Sequence, residues 1–307
     1  MPPTTRSTAV TSDGAHLAVY TDGDPDAPVT VVLAHGFLES ADAWRVQTRR
    51  LAALGHRVVR YDQRAHGNST AGDAPTTLQC LGADLGHIIT AAAPTGPLVL
   101  AGHSMGGMSI MALAARQPHV LVDRRPHVAL VSTACTKATF APGRGPLHWA
   151  KAVSRAAYAY PICWMPATAD RLRRRLPATH LWALSPHSAH DQNVPPPCRE
   201  AIHHTPAAPI VELWRSLRAY DTTGALHELD SLGHRVEILT GACDDMIPMA
   251  KTRELARQLP HALLHEAVPG ARHRLLTDRH GRTAVTETLT RMCNASRPAH
   301  AADLLAG

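Results

Sequence analysis

Gly102-His103-Ser104-Met105-Gly106 is the segment best suited to chemistry in this chain of 307 residues. A serine hydroxyl is a weak nucleophile until a base takes its proton. The spacing Gly-x-Ser-x-Gly places a serine on a sharp turn between a strand and a helix. The flanking glycines leave room for neighbouring backbone, and the N–H after the serine points to where an oxyanion would form. The context fits this reading, because the apolar run Leu98-Val99-Leu100 precedes the segment and a helix-like run from Met105 to Gln117 follows it. A second loop, His35-Gly36-Phe37, ends the apolar run from Val29 to Ala34. An oxyanion hole needs two backbone donors aimed at the developing charge. The candidates are the N–H groups of Phe37 and Met105.

The serine also needs a base, and the base needs an orienting carboxylate. Two late strand-like runs end in loops that carry such groups. Val236 to Leu239 leads into Thr240-Gly241-Ala242-Cys243-Asp244-Asp245-Met246-Ile247-Pro248, where two aspartates compete. The following run, Ala262 to Ala267, leads into Pro269-Gly270-Ala271-Arg272-His273, which places an imidazole after a strand end.

The elements that must position these groups alternate along the chain. Ser7 to Tyr20 reads as two short strands about the turn Ser12-Asp13-Gly14. Further strands are expected over Val29–Ala34, His56–Tyr61, Pro97–Ala101, Val128–Val131, Val236–Leu239 and Ala262–Ala267. Helices are expected over Ala41–Leu54, Thr77–Ala93, Met105–Gln117, Lys251–Gln258 and Thr283–Cys293. Strand and helix in this rhythm predict an α/β fold with a mostly parallel sheet of about eight strands, covered by helices on both faces. The rhythm breaks between Cys135 and Leu232. That stretch holds eleven of the 24 prolines and Trp149, Trp164, Trp182 and Trp214, four of the five tryptophans. It is expected to be a helical cap insertion, dividing the chain into a first core part (1–134), the cap (135–232) and a second core part (233–307). Trp164, Trp182 and Trp214 are its candidate substrate contacts.

Taken together these segments resemble the α/β-hydrolase superfamily from about Ala9 to Met292. The matching pieces are His35-Gly36, the Asp-x-Arg-x-His-Gly-x-Ser segment from Asp62 to Ser69, the elbow at Gly102–Gly106, Gly-x-x-Asp-x-x-x-Pro from Gly241 to Pro248, and Pro-Gly-x-x-His from Pro269 to His273. The resemblance implies a triad of Ser104, Asp244 and His273. It selects Asp244 over Asp245 because the family's acid lies three residues after the glycine and four before the proline. It also implies that His66 and His103 are structural, hydrogen-bonded histidines. Ala65 stands where the family commonly has glycine.

The implied activity is hydrolysis of an ester-type bond in a small, partly apolar substrate. The same triad in similar proteins also serves acyl transfer, cofactor-free haloperoxidase-like perhydrolysis, or elimination, and some members are ligand receptors. Serine at 104 argues against the aspartate-nucleophile members. No His-Glu-x-x-His pattern and no Gly-x-x-x-x-Gly-Lys loop occurs, so neither a metal nor a nucleotide cofactor is expected. The six cysteines show no Cys-x-x-Cys pair; they are expected to be reduced and mostly buried, with Cys243 packed beside the acid. The net charge is +6 and the pI about 9.2, but the basic residues are dispersed. Their densest run, Arg171 to Arg175, is expected to be a solvated helix face rather than a nucleic-acid site. The N-terminus lacks the apolar core of a signal peptide, and no run of about 18 apolar residues appears. A cytoplasmic protein with a small-molecule substrate and no membrane partner is expected, with the oligomeric state left open.

Overall fold

The computed structural model describes residues 4–137, 165, 168, 170, 171, 175 and 206–297. Eight strands form one sheet in the order β1-β2-β4-β3-β5-β6-β7-β8. β1 (Thr5–Val10) and β2 (His16–Asp22) are an antiparallel hairpin, and β2 runs antiparallel to β4 (Arg57–Tyr61). From β4 onward every pairing is parallel, through β3 (Thr30–Ala34), β5 (Leu98–His103), β6 (His127–Val131), β7 (Val236–Leu239) and β8 (Leu263–Leu264).

The central strands are apolar at nearly every position because helices cover both faces of the sheet. Side chains alternate between faces along a strand, so each strand divides its residues between two cores. Val32, Ala34, Leu98, Leu100, Val128 and Leu130 pack with helix α2 (Leu78–Ala92) and helix α3 (Met105–Arg116). Val31, Leu33, Val99, Ala101, Ala129 and Val131 pack on the other face with α1 (Arg45–Ala53) and the last helix (Gly281–Ser296). Thr77 caps α2 by accepting the Cys80 N–H at 3.2 Å.

A short helix α4 (His119–Val122) precedes β6. Between β6 and β7 the described part of the long insertion contributes α5 (Ala207–Arg218) and α6 (His227–Asp230). Helix α7 (Met249–Gln258) lies between β7 and β8, and the last helix is α8.

Two expectations change. The first turn after Ser40 is a 3-10 helix over Ala41–Trp44, with α1 beginning only at Arg45. The strand expected over Ala262–Ala267 is reduced to Leu263–Leu264, both exposed, because as the sheet edge it is paired only to β7 and no described helix buries it.

The register aligns the strand ends. Ala34 is paired with Gly102, His103 with Val131, and Val131 with Leu239. The loops carrying His35-Gly36, Ser104, and Asp244 therefore leave the same edge of the sheet. The strand order reverses between β3 and β5, and open α/β sheets leave a crevice at the carboxyl ends at such a point.

Candidate active site

Ser104 sits between β5 and α3 with φ +52° and ψ −115°. Backbone in this region costs a non-glycine residue about 1–3 kcal/mol and persists only where its surroundings hold it. The Ser104 N–H donates to the Val131 carbonyl at 2.8 Å, and the Ser104 carbonyl accepts the Thr133 hydroxyl at 2.7 Å. The glycines are required by crowding. A Cβ on Gly102 would lie 2.4 Å from the carbonyl carbon of Gly106, and one on Gly106 would lie 2.2 Å from the Ala34 oxygen.

His273 Nε2 is 3.0 Å from Ser104 Oγ. Its Nδ1 is 2.9 Å and 3.1 Å from the two carboxylate oxygens of Asp244. Asp244 Oδ1 also accepts the N–H groups of Met246 and Ile247 at 2.9 Å and 2.8 Å, which fixes the carboxylate. Asp244 is buried and Asp245 is exposed. Gly241 lets the acid loop meet the base loop, since a Cβ there would lie 2.4 Å from the Ala271 oxygen. Burial disfavours charge on the His273 ring, but the Asp244 carboxylate, aided by Glu39, outweighs it and raises the imidazole above its ordinary value.

The two proposed oxyanion donors come from opposite sides. Met105 opens α3, so its N–H has no carbonyl within the helix to bond. The Phe37 N–H belongs to the Gly36–Phe37 peptide, whose carbonyl is held by the Glu39 N–H at 3.2 Å and by His35 Nδ1 at 2.8 Å. His35 Nε2 accepts the Gln63 N–H at 2.9 Å, so the ring is neutral with its proton on Nδ1, and burial holds it down at about 4. In a trans peptide the C=O and N–H point in opposite directions. Pinning the Gly36 carbonyl therefore aims the Phe37 N–H away from it.

The Asp62–Ser69 segment supports this loop residue by residue. Asp62 accepts the Ala41 N–H at 2.7 Å and the Asn68 N–H at 2.8 Å. Arg64 pairs with Asp84 of α2 at 2.8 Å and also with Asp13. His66 Nε2 accepts the Leu38 N–H at 3.1 Å, and burial lowers this ring to about 4 as well. A Cβ on Gly67 would collide with the Asp62 carboxylate. Ala65, in the place of the family's glycine, adopts φ +61°.

The pocket that exposes Ser104 and His273 is walled by Phe37, Met105, Met108, Trp214, Leu217 and Ile247. The Trp214 and Phe37 rings are 6.1 Å apart. Trp164 and Trp182 lie outside the described residues. Sequence reasoning missed Glu39, Met108, Leu217, Arg218 and Met246, which also line the pocket, and Arg274, which pairs with Glu39. Met108 and Leu217 face the pocket from helices whose apolar pattern is the same as that of core residues. Glu39 had one available signal, a carboxylate three residues after Gly36. Cys243 is exposed rather than packed, because the loop turns Asp244 inward and its neighbour outward. No cluster of metal-ligating side chains occurs among the described residues, and no described helix is long and apolar enough to cross a membrane.

A strained serine between strand and helix, a histidine on its hydroxyl and an aspartate behind the histidine, on a sheet of this order, define a class. The chain belongs to the α/β-hydrolase fold family, whose model matches residues 29–278, and it is a hydrolase of that fold. Among individual relatives, a Variovorax paradoxus protein that bears the name carbamate hydrolase RutD is 28% identical over 81% of this chain and 86% of its own length. A non-heme chloroperoxidase of Streptomyces lividans is 32% identical over 46% of this chain and 50% of its own. The crystal structure of an enol-lactonase from Burkholderia xenovorans LB400 superimposes with a TM-score of 0.63 at 26% identity, covering 94% of this chain and 99% of that one.

Proposed function

We propose that this chain is a serine hydrolase that cleaves an ester-type bond (carboxylic ester, thioester or lactone) of a small, partly apolar substrate through an acyl-enzyme. The observation that carries the reading is the 3.0 Å contact of His273 Nε2 with Ser104 Oγ, with Asp244 on the other ring nitrogen. His273 takes the serine proton as Oγ attacks the carbonyl carbon. Asp244 holds the ring in the required tautomer and stabilises the imidazolium. The N–H groups of Phe37 and Met105 receive the oxyanion. His273 then protonates the leaving alcohol or thiol, and afterwards deprotonates the water that releases the acid. The apolar walls, with Trp214 among them, suit an acyl chain. We assign residues 135–232 to a cap over this pocket, of which α5 is the described portion that reaches it.

The test is labelling with a serine-directed fluorophosphonate, combined with a series of p-nitrophenyl esters of increasing chain length. One label per chain on Ser104, with turnover lost in Ser104→Ala, is the expected result. Labelling that persists in Ser104→Ala, or ester turnover that survives it, overturns the assignment. The likeness to a chloroperoxidase favours a second reading, in which hydrogen peroxide replaces water in attacking the acyl-enzyme and a peracid is released. Product analysis with and without peroxide separates the two.

A further inference from the structure

Glu39 is an acidic side chain with only 2% exposure, a few residues from the proposed oxyanion donor, and the triad mechanism gives it no task. Burying a carboxylate is costly unless it is paired, and this one is paired three times. Its Oε2 accepts the Gly36 N–H at 2.9 Å and lies 3.2 Å from His103 Nδ1. Its Oε1 lies 2.7 Å from the Arg274 guanidinium. Each partner leads to a different part of the site. Gly36 belongs to the oxyanion loop. His103 immediately precedes Ser104, and its Nε2 is 2.9 Å from the His273 carbonyl oxygen. Arg274 immediately follows His273. Gly36 itself must be glycine for this contact, since a Cβ would lie 2.9 Å from both Glu39 Oε2 and His103 Nδ1.

We propose that Glu39 is a positioning residue for the reaction proposed above, holding the oxyanion loop, the nucleophile elbow and the catalytic-base loop in one register through a single carboxylate. The Gly36 residue is gripped at both ends, its N–H by the Glu39 side chain and its carbonyl by the Glu39 backbone N–H. The Phe37 N–H is therefore aimed before substrate arrives, which is the condition for an oxyanion donor to act without reorganisation. Through Arg274 the same carboxylate ties this loop to the one that carries His273.

The arrangement has an electrostatic consequence of definite sign. His273 is faced by Ser104, Asp244, Glu39, His103 and Arg274. Burial of the Glu39 carboxylate opposes its ionisation, but Arg274 and His103 outweigh that and hold it well below the usual carboxylate range, so it is an anion at working pH. That anion favours the imidazolium form of His273, and Arg274 disfavours it. Removing either partner leaves the other unbalanced.

The inference rests on the serine-hydrolase reading, and the experiment keeps the two apart. Wild-type protein that takes no fluorophosphonate at Ser104 refutes that reading whatever Glu39 does. With labelling established, pH profiles of kcat/KM are recorded for Glu39→Gln, Arg274→Met and the double variant. Glu39→Gln is expected to lower kcat about tenfold or more, short of the roughly 10²–10³-fold loss for deleting an oxyanion donor outright, with KM for a neutral ester changed less than about threefold. Its acid limb moves to lower pH. Arg274→Met moves the acid limb to higher pH, and the double variant lies between the two. Glu39→Gln with wild-type kcat and an unmoved profile overturns the proposal. If Glu39→Gln does not fold, Arg274→Met and the double variant decide: the same profile in both overturns it, because the Glu39 charge would then have no path to His273.

Discussion

Ser104, His273 and Asp244 come from three separate loops, and the proposed chemistry rests on a few side-chain atoms in successive contacts of 2.9–3.1 Å. Asp244 and Asp245 are adjacent and chemically identical, yet only Asp244 is turned inward, held by the Met246 and Ile247 N–H groups. An asparagine at 244 keeps the shape and can favour the wrong imidazole tautomer. Asp244→Asn is expected to reduce kcat by about 10⁴-fold, as a loss of the orienting acid does in other serine triads. Asp245→Asn should alter it by less than about threefold, in line with a surface substitution. Steady-state kinetics on both variants check this, and the reverse ranking refutes the assignment. The same scale explains Ala65. Its φ of +61° places an L-residue in the left-handed region, at a cost of about 1–2 kcal/mol. Ala65→Gly removes that cost and adds about 0.5–1 kcal/mol of chain entropy to lose. The net expectation is a small gain in stability, up to about 1.5 kcal/mol, read as a higher denaturant midpoint with an unchanged slope. A lower midpoint would mean that the loop is not strained there.

At the scale of elements, α5 is the described helix that brings side chains from the insertion to the pocket. Leu213 and Leu217 are buried against the core, Trp214 lies against Phe37, and Glu212 receives the Thr76 N–H at 2.8 Å. The helix is thus anchored on one side to the segment before α2 while its neighbouring face lines the pocket. Trp214→Ala is expected to change the ranking of ester chain lengths, because a pocket discriminates about 1–3 kcal/mol per methylene, roughly 10- to 200-fold in kcat/KM. The rate of fluorophosphonate labelling with a small probe should stay within about threefold of wild type, since the triad is untouched. Equal losses for every ester and for the small probe would place Trp214 in support of the triad instead.

Across the whole molecule, two buried neutral histidines, His35 and His66, link the proposed oxyanion loop to the Asp62–Ser69 segment. Burial lowers both to about 4 in the folded chain, against about 6.5 when unfolded. Between those values the unfolded chain binds more protons than the folded one, so folding weakens as pH falls. Their contribution is complete above about pH 6.5 and is lost on acidification toward pH 4, at a cost on the order of 3 kcal/mol for each ring. Denaturant unfolding at pH 7.5, 6, 5 and 4.5 is expected to show a falling midpoint across this window. His66→Gln, whose amide oxygen can still accept the Leu38 N–H, should flatten part of that fall. A midpoint constant from pH 7.5 to 4.5 would contradict the neutral, buried state of both rings.

The elbow at Gly102–Gly106, the loops at His35-Gly36, Gly241–Pro248 and Pro269–His273, and the alternation of strand and helix were all legible in the chain, because each rests on local physics. Glycine is demanded where backbone approaches backbone, apolar runs mark strands covered on both faces, and turn residues follow strand ends. Asp244 was legible only through its resemblance to a family pattern, since nothing local distinguishes it from Asp245. Other features were decided by tertiary structure alone. The Ala262–Ala267 run reads as a strand, but how far it pairs depends on its place at the sheet edge, and there it shortens to Leu263–Leu264. Cys243 was expected to pack, yet the turn that buries Asp244 exposes it. Glu39, 235 residues before its partner Arg274, carries no periodicity or spacing that foretells the contact. A buried carboxylate is tolerated only where partners converge on it, and that convergence is a property of three loops meeting at one sheet edge. Sequence by itself determined which groups could react and the strands that carry them; the parallel register of β3, β5, β6 and β7 decided which of those groups meet.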